Sequence, residues 1–208
     1  MTVERVLARG LQELGLDGAS GLDARLIAYL ELLARWNRVY NLTAVQDPIE
    51  QVTRHLLDSL ALLPYLPPGG EVLDVGSGAG LPGIPLALAA PGRRFRLLDS
   101  SLKKTRFLTQ AVAELGIGNA TVTRARVESF RPAPPPAVIV ARAFAPLDRM
   151  LAAVGHLCVP GVAVLAMKGP GAEREAERLP EGFALTAAHV LRVPGLAQER
   201  RLLHVTRV

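Results

Sequence analysis

The sequence has 208 residues, half of them hydrophobic, and a formal net charge of +5. This length accommodates one α/β domain with a smaller additional part. No apolar run approaches about 18 residues, so we expect no membrane-spanning helix; the single cysteine, Cys158, excludes an internal disulfide and a cysteine zinc cluster. Residues 1–16 contain Glu4 and Glu13 and lack the pattern of a signal peptide, so we expect a cytoplasmic protein.

The first third of the chain is predicted to be helical. Apolar residues recur at helical spacing over residues 3–16 and again over residues 20–40. Asp47 and Pro48 are suited to the N-cap and the first position of a third helix, which ends at a proline-rich stretch. We therefore predict an N-terminal helical extension over residues 1–68.

The rest of the chain, residues 69–208, alternates predicted strands with helices. The strands are expected near residues 72–75, 95–98, 120–123, 137–141 and 161–167, with a closing pair near 183–193 and 201–206. Such alternation favours an α/β fold with a doubly wound, mostly parallel sheet, here of seven strands. We expect these residues to form one compact unit.

A glycine-rich turn follows the first predicted strand. The strand ends near Asp74, and four glycines follow within eight residues, at Gly76, Gly78, Gly80 and Gly83. Glycine permits positive φ angles and a close approach of a ligand to the backbone. A strand, a glycine turn and a helix make the first half of a nucleotide-binding βα unit.

The acidic residue before the glycines distinguishes between a dinucleotide and S-adenosylmethionine as the cofactor. A dinucleotide would bring its pyrophosphate close to the Asp74 carboxylate, which would repel it. S-adenosylmethionine has no phosphate and carries an amino group and a sulfonium, which a carboxylate favours. The spacing Asp74-x-Gly76-x-Gly78-x-Gly80 resembles the first motif of class I S-adenosylmethionine methyltransferases, which have a Rossmann-like fold.

Charged residues are predicted at the carboxyl ends of all five parallel strands, where ligands bind in such sheets. They are Asp74, Asp99, Arg126 with Glu128, Arg142 and Lys168. Asp99 lies 23 residues after Gly76, close to the spacing at which an acidic residue accepts hydrogen bonds from ribose hydroxyls.

Positive charge is concentrated in the part of the chain that holds the glycine turn. Residues 1–68 contain 6 Lys and Arg against 8 Asp and Glu, whereas residues 69–208 contain 18 against 11. This excess suits a phosphate-rich macromolecule. Lys103, Lys104 and Lys168 are the candidate RNA contacts, and a solvated helix face is the alternative for the first two.

Several short motifs together resemble one family over about residues 36–169. They are Trp36-Asn37, Asn41-Leu42-Thr43, Arg54-His55, Asp58-Ser59-Leu60, the glycine turn with Leu81-Pro82, Leu98-Asp99-Ser100, Arg126-Val127-Glu128, Arg142-Ala143-Phe144 and Lys168-Gly169. The family is RsmG (GidB, glucose-inhibited division protein B). The resemblance implies S-adenosylmethionine-dependent methylation of N7 of one guanine, position 527 in the usual numbering, of 16S rRNA in the 30S ribosomal subunit. It also implies cofactor contacts at Gly76, Leu81, Val127, Glu128 and Arg142.

The implied chemistry does not need a general base. Guanine N7 carries a free lone pair and loses no proton on methylation, so positioning and electrostatics can supply most of the acceleration. Arg142 stands where amino-group methyltransferases have an Asp-Pro-Pro-Tyr or Asn-Pro-Pro-Tyr motif. We expect it to hold the cofactor carboxylate or guanine O6, because donation to N7 would block the attack.

Two residues of the N-terminal extension are further catalytic candidates. Asn41 and His55 belong to the family motifs and are expected in the wall around the target guanine. His55 and Asp58 are three residues apart, which predicts one helix face, with a salt bridge or a substrate contact favoured over a catalytic pair. The remaining histidines are scattered, so no metal site is expected. We expect a monomer without an obligate protein partner.

Two other functions stay open on the sequence alone. Gly78-x-Gly80-x-x-Gly83 and Asp99 also suit a nicotinamide-dependent oxidoreductase, although Asp74 and the absence of a Tyr-x-x-x-Lys pair argue against it. A non-catalytic RNA-binding module with this fold is the other alternative.

Overall fold

The structure, a computed structural model, describes residues 2–208. Its helices are α1 (Val3–Glu13), α2 (Leu22–Tyr40), α3 (Pro48–Gln51), α4 (Asp58–Leu60), α5 (Gly83–Ala89), α6 (Leu102–Glu114), α7 (Leu147–Val154) and α8 (Ala172–Ala176). Its strands are β1 (Val72–Val75), β2 (Phe95–Asp99), β3 (Ala120–Arg124), β4 (Val138–Arg142), β5 (Ala163–Lys168), β6 (Phe183–Leu191) and β7 (Arg200–Arg207). A π-helical segment, Val52–Leu57, joins α3 to α4. A bilayer crossing requires a longer and more apolar helix than any that residues 2–208 form.

The seven strands form one sheet in the order β3-β2-β1-β4-β5-β7-β6. β1 to β5 are parallel, and β7 pairs antiparallel with both β5 and β6. Buried apolar residues cover both faces of the sheet, as is typical when helices pack on each side. The structure confirms the predicted doubly wound, mostly parallel sheet and its closing pair of strands.

β1 lies at the point where the strand order reverses. Val72 of β1 is in register with Phe95 of β2 on one side and with Val138 of β4 on the other. From β1 the chain moves outward through β2 and β3, then returns to the other side for β4 and β5. This reversal leaves a crevice at the carboxyl ends of β1 and β4, where ligands bind in open α/β sheets.

The N-terminal helices pack against one face of the sheet. Leu7 of α1, Leu33 of α2 and Leu57 of the π-helical segment are at most 1% exposed and belong to the same hydrophobic core as Val72 and Leu97. A second core fills the opposite face. Residues on both sides of the predicted boundary at residue 68 therefore share one core.

The third helical region begins as predicted and then departs from regular α geometry. Oδ1 of Asp47 accepts a hydrogen bond of 2.8 Å from the Glu50 N–H, and Pro48 occupies the first helical position. The chain then passes through the π-helical segment before α4. Nothing in the apolar spacing of the sequence indicated this segment, and such segments are frequent at functional sites.

Candidate active site

The glycine turn is anchored to the neighbouring strand β2. The N–H groups of Gly76 and Ser77 donate to the Leu98 carbonyl at 2.8 and 3.1 Å. Gly76 has a φ of +70°, and a Cβ at this position would overlap the ring of Phe144. Only glycine satisfies both requirements, so the turn brings bare backbone to the crevice.

Asp99 ends β2 beside this turn, as the sequence predicted. Its Oδ2 accepts from the Gly78 N–H at 3.0 Å and its Oδ1 accepts from the Ser101 N–H at 2.9 Å. These two bonds fix the carboxylate, and each oxygen keeps a further lone pair for a ligand. The pair of hydroxyls on a ribose matches these acceptors.

A cavity of about 300 Å³ lies at the carboxyl ends of β1, β2 and β3. It is lined by Val75, Gly76, Leu98, Asp99, Ser100, Lys104, Ala125, Arg126, Val127, Glu128, Ala143 and Phe144. Four predicted cofactor residues therefore meet in one place: Gly76, Asp99, Val127 and Glu128. These residues fit S-adenosylmethionine. The Asp99 carboxylate suits the ribose, the exposed Glu128 carboxylate and the Val127 backbone suit the adenine, and Gly76 adds bare backbone.

Asp74 differs from the expectation that it contacts the cofactor. Its side chain has no solvent exposure and does not line the cavity. Because side chains alternate along a strand, it points to the face opposite Leu73 and Val75. Oδ2 accepts from the Gly83 N–H at 3.0 Å, so this carboxyl group holds the start of α5 under the turn. Burial raises its pKa to about 7.

Three other predicted cofactor residues shape the turn but do not line the cavity. Gly80 has a φ of +88°, and a Cβ there would meet the side chain of Ile84; Leu81 is 5% exposed. Gly78 acts through its N–H bond to Asp99. Tyr29 of α2 donates to the Ala79 carbonyl at 2.6 Å, so the helical extension also supports the turn. The sequence had not indicated that contact.

Arg142 lies in a second cavity, of about 290 Å³, next to the first. This cavity is lined by Asp58, Arg142, Ala143, Met167, Lys168, Gly169 and Arg200. Nη1 of Arg142 donates to the Arg54 carbonyl at 2.7 Å and to Oδ2 of Asp58 at 2.9 Å. Nε of Arg200 donates to Oδ1 of the same carboxylate at 3.1 Å. Ala143, with a φ of +50°, lines both cavities and so marks where they meet.

Asp58 has partners that the sequence did not predict. It is 2% exposed and pairs with two arginines, not with His55. The expected His55–Asp58 face assumed α-helical geometry, whereas residues 52–57 are π-helical, with more residues in each turn. The extension therefore supplies the anion that pairs with the partly buried Arg142.

His55 is buried and held away from both cavities. Its Nε2 and Oγ1 of Thr43 share a hydrogen bond of 2.8 Å. Burial, reinforced by the positive charge of Arg142, lowers its pKa to about 4. A neutral imidazole that lines neither cavity supports the loop around Thr43 and is poorly placed for a catalytic contact.

Asn41 is also separate from Arg142. It is exposed at the end of α2, with a φ of +48°, and lines a third cavity with other side-chain amides. The structure therefore does not bring the three catalytic candidates, Arg142, His55 and Asn41, into one cavity.

The three candidate RNA lysines have different surroundings. Lys103 is exposed and donates to the Tyr40 carbonyl at 3.1 Å, and Lys104 lies 3.7 Å from Asp99 at the rim of the first cavity. Nζ of Lys168 donates to Oε2 of Glu175 at 2.8 Å, and its side chain is 11% exposed. Lys168 borders the second cavity and is more buried than Lys103 and Lys104, so it suits an RNA phosphate less well than the other two.

Two solved methyltransferases share this fold. The mitomycin 7-O-methyltransferase MmcR superimposes with a TM-score of 0.60, covering 91% of this chain and 69% of that chain at 12% identity. The glycopeptide N-methyltransferase MtfA superimposes with a TM-score of 0.59, covering 74% and 91% at 15% identity. At such identities the likeness establishes the fold alone, which is the Rossmann-like fold of these methyltransferases, as predicted.

Sequence comparison then identifies the family. Residues 23–204 match the family described as GidB, rRNA small subunit methyltransferase G. A protein of Pseudomonas aeruginosa strain LESB58, named Ribosomal RNA small subunit methyltransferase G, is 50% identical over 201 residues, which cover 97% of this chain and 94% of that protein. A protein of the same name from Methylococcus capsulatus is 50% identical over 197 residues, 95% of each chain. This chain belongs to that methyltransferase family, which confirms the resemblance and contradicts the oxidoreductase alternative.

Proposed function

We propose that this protein transfers the methyl group of S-adenosylmethionine to N7 of one guanine of 16S rRNA in the 30S subunit. Its family and the names of its relatives support a small-subunit rRNA substrate. The observation that carries the proposal is the pair of cavities that meet at Ala143, one suited to the cofactor and one lined by Arg142 and Arg200. As an rRNA-modifying enzyme it would act in the cytoplasm.

The first cavity contains the residues that would hold the cofactor. Asp99 would accept from the ribose hydroxyls, and Val127 with Glu128 would hold the adenine. The remaining part would lie against the Gly76 backbone, at the end of the cavity that Phe144 and Ala143 line. S-adenosylmethionine, when bound, supplies an electrophilic methyl on a sulfonium.

The second cavity lies beside that end and suits a guanine. Asp58 and the Arg54 carbonyl fix Nη1 of Arg142, which leaves other N–H donors of the guanidinium for a ligand. Guanine O6 is an acceptor that arginine recognises well. Holding O6 would orient N7 and leave its lone pair free to attack.

No residue in either cavity is required to remove a proton. N7 enters the reaction with a free lone pair, and the residues that flank Ala143 in the chain are Arg142 and Phe144, neither of which is a base. His55 is outside both cavities. The chain would therefore accelerate the transfer by orienting the two ligands and by the fixed charges that surround them.

Substitution of Arg142 tests this proposal. Arg142→Lys keeps the charge but not the planar guanidinium, and Arg142→Ala removes both. We expect each variant to lose at least about tenfold in the rate of methyl transfer, about 1.4 kcal/mol. The measurement is single-turnover transfer to 30S particles that lack the modification, with cofactor affinity measured in parallel by calorimetry.

The control is Arg149→Lys, at an exposed arginine of α7 outside both cavities. A loss confined to cofactor affinity would assign Arg142 to S-adenosylmethionine, and a loss confined to transfer would assign it to the guanine. Wild-type transfer by Arg142→Ala would remove Arg142 from the site. A wild-type protein that binds 30S particles without methylating them would instead favour the non-catalytic RNA-binding module.

A further inference from the structure

A third cavity, of about 470 Å³, lies where α2 ends and the chain enters α3. It is lined by Ala34, Asn37, Arg38, Asn41, Gln46 and Gln51. Four of these six side chains are amides, one is a guanidinium and none is a carboxylate. This composition differs from that of the cofactor cavity and of the Asp58–Arg142–Arg200 cavity.

We propose that this amide cavity binds an unpaired nucleobase of the RNA substrate, next to the methylated guanine in the RNA. The inference rests on the proposed function, because it assumes an RNA substrate. Side-chain amides offer paired donors and acceptors that match the hydrogen-bonding edges of bases. Proteins that read RNA sequence mostly bind such splayed-out, unpaired bases.

The wall of the cavity is held rigid by hydrogen bonds. Asn37 donates to the Thr43 carbonyl at 3.0 Å and accepts from the Thr43 N–H at 2.9 Å. Gln51, only 4% exposed, donates to the Val45 carbonyl at 2.8 Å. Asn41 and Gln46 are exposed. The first two amides therefore fix the shape, and the last two are left to contact a ligand, so little ordering is required on binding.

The same wall is connected to the second cavity. Oγ1 of Thr43 shares a hydrogen bond with His55, and the carbonyl of Arg54, the residue before it, accepts from Arg142. A base in the amide cavity would thus be linked to the element that holds Arg142 through Asn37, Thr43 and His55. This arrangement suits recognition of a neighbouring nucleotide while the guanine occupies the second cavity.

The cavity carries little positive charge and no aromatic ring. Trp36 and Tyr40 stack with ring centroids 5.1 Å apart on the last turns of α2, but neither lines the cavity, and Trp36 packs against Phe107 of α6. Arg38 is the one cation in the cavity lining, so neutral hydrogen bonds, more than phosphate contacts, would dominate there.

The decisive variant is Asn41→Ala combined with Gln46→Ala in the full-length protein. The probes are fluorescein-labelled single-stranded RNA octamers of A, C and U, with affinity measured by fluorescence anisotropy at several salt concentrations. We expect at least a fivefold weaker affinity for the preferred octamer and a smaller difference among the three. The slope of log affinity against log salt should not change, because the amides carry no charge.

The matched control is Gln12→Ala combined with Gln110→Ala, which removes two exposed amides outside the three cavities. The variant Lys103→Gln combined with Lys104→Gln should behave differently from the Asn41/Gln46 variant. Loss of a phosphate contact flattens the slope of log affinity against log salt. Unchanged affinity and base preference in the Asn41/Gln46 variant would overturn the proposal and leave a solvent-filled crevice. A flattened slope would also overturn it, in favour of a phosphate contact.

A second measurement does not depend on how the variant folds. In the wild-type protein, the side-chain NH₂ signals of Asn41 and Gln46 should shift on titration with the preferred octamer. If those signals stay in place while other signals shift, the proposal fails. Failure of the proposed function would show separately, as absent methyl transfer in the wild-type protein.

Discussion

Asp74 shows how one buried group links stability to pH. Its Oδ2 accepts from the Gly83 N–H, whereas Oδ1 has no hydrogen-bond partner within residues 2–208. Burial disfavours the charged carboxylate and raises the pKa from 3.8 to about 7. Between these values the folded protein keeps a proton that the unfolded chain releases. The contribution of this carboxyl group to stability is therefore full below pH 3.8 and is lost as the pH rises to about 7.

We predict that Asp74→Asn removes this pH dependence. The amide does not titrate, and it can accept from Gly83 while placing an NH₂ where Oδ1 lies. The free energy of unfolding of the variant, relative to wild type, should therefore increase from about pH 5 to about pH 8, as measured by urea denaturation. Asp148→Asn, at an exposed position of α7, is the control. Parallel pH curves for wild type and Asp74→Asn would contradict the argument.

At the scale of elements, α1 packs closely against the π-helical segment of the extension. Gly10 of α1 is buried, and a Cβ there would overlap Cδ1 and Cδ2 of Leu57, which is 1% exposed. Glycine is a poor residue for the middle of a helix by about 1 kcal/mol. Its presence in α1 is explained by the close approach of the two helices and not by local preference.

Gly10→Ala therefore sets helix propensity against packing. The substitution gains up to about 1 kcal/mol of propensity, but forcing a methyl group against a buried leucine costs about 1–3 kcal/mol. We expect a net loss of stability on the order of 1 kcal/mol, measured by urea denaturation. Gly18→Ala, where a Cβ would meet nothing within 4 Å, should not be destabilised. A stabilised Gly10→Ala protein would mean that α1 shifts on the π-helical segment at little cost.

At the scale of the molecule, the shared core makes the extension and the sheet depend on each other. Leu7, Leu33 and Leu57 bury their side chains in the core that also holds Val72 and Leu97. Tyr29 adds a hydrogen bond to the glycine turn. Neither part can unfold without exposing apolar surface of the other, so residues 1–68 and 69–208 should behave as one cooperative unit.

We predict that two probes of unfolding give the same midpoint. Trp36, the single tryptophan, packs edge-on against Phe107 of α6 at 5.7 Å between ring centroids, so its fluorescence reports the contact between the extension and the rest of the chain. Far-ultraviolet circular dichroism reports all helices and strands. Coincident urea transitions are expected. A fluorescence transition at lower urea would show that the extension separates first and that the parts are independent domains.

The sequence by itself determined the order of elements and the edge of the sheet at which the first cavity lies. Apolar runs of strand length alternate with helical spacing, and three of the four glycines after β1, Gly76, Gly78 and Gly80, have positive φ angles that few other residues adopt. Because parallel strands end at one edge, Gly76, Asp99, Val127 and Glu128 meet in one cavity, as predicted. These features are local or follow from topology, so periodicity and turn chemistry were sufficient to predict them.

Only the tertiary structure decided which groups surround Arg142. Asp58 is 84 positions away from Arg142 and 142 positions away from Arg200, and its approach to both depends on a π-helical segment and on the antiparallel pairing of β7 with β5. Tertiary packing also placed Asn41 beside three other amides. Long-range ion pairs and cavity walls depend on how distant elements dock, which residue spacing along the chain does not encode.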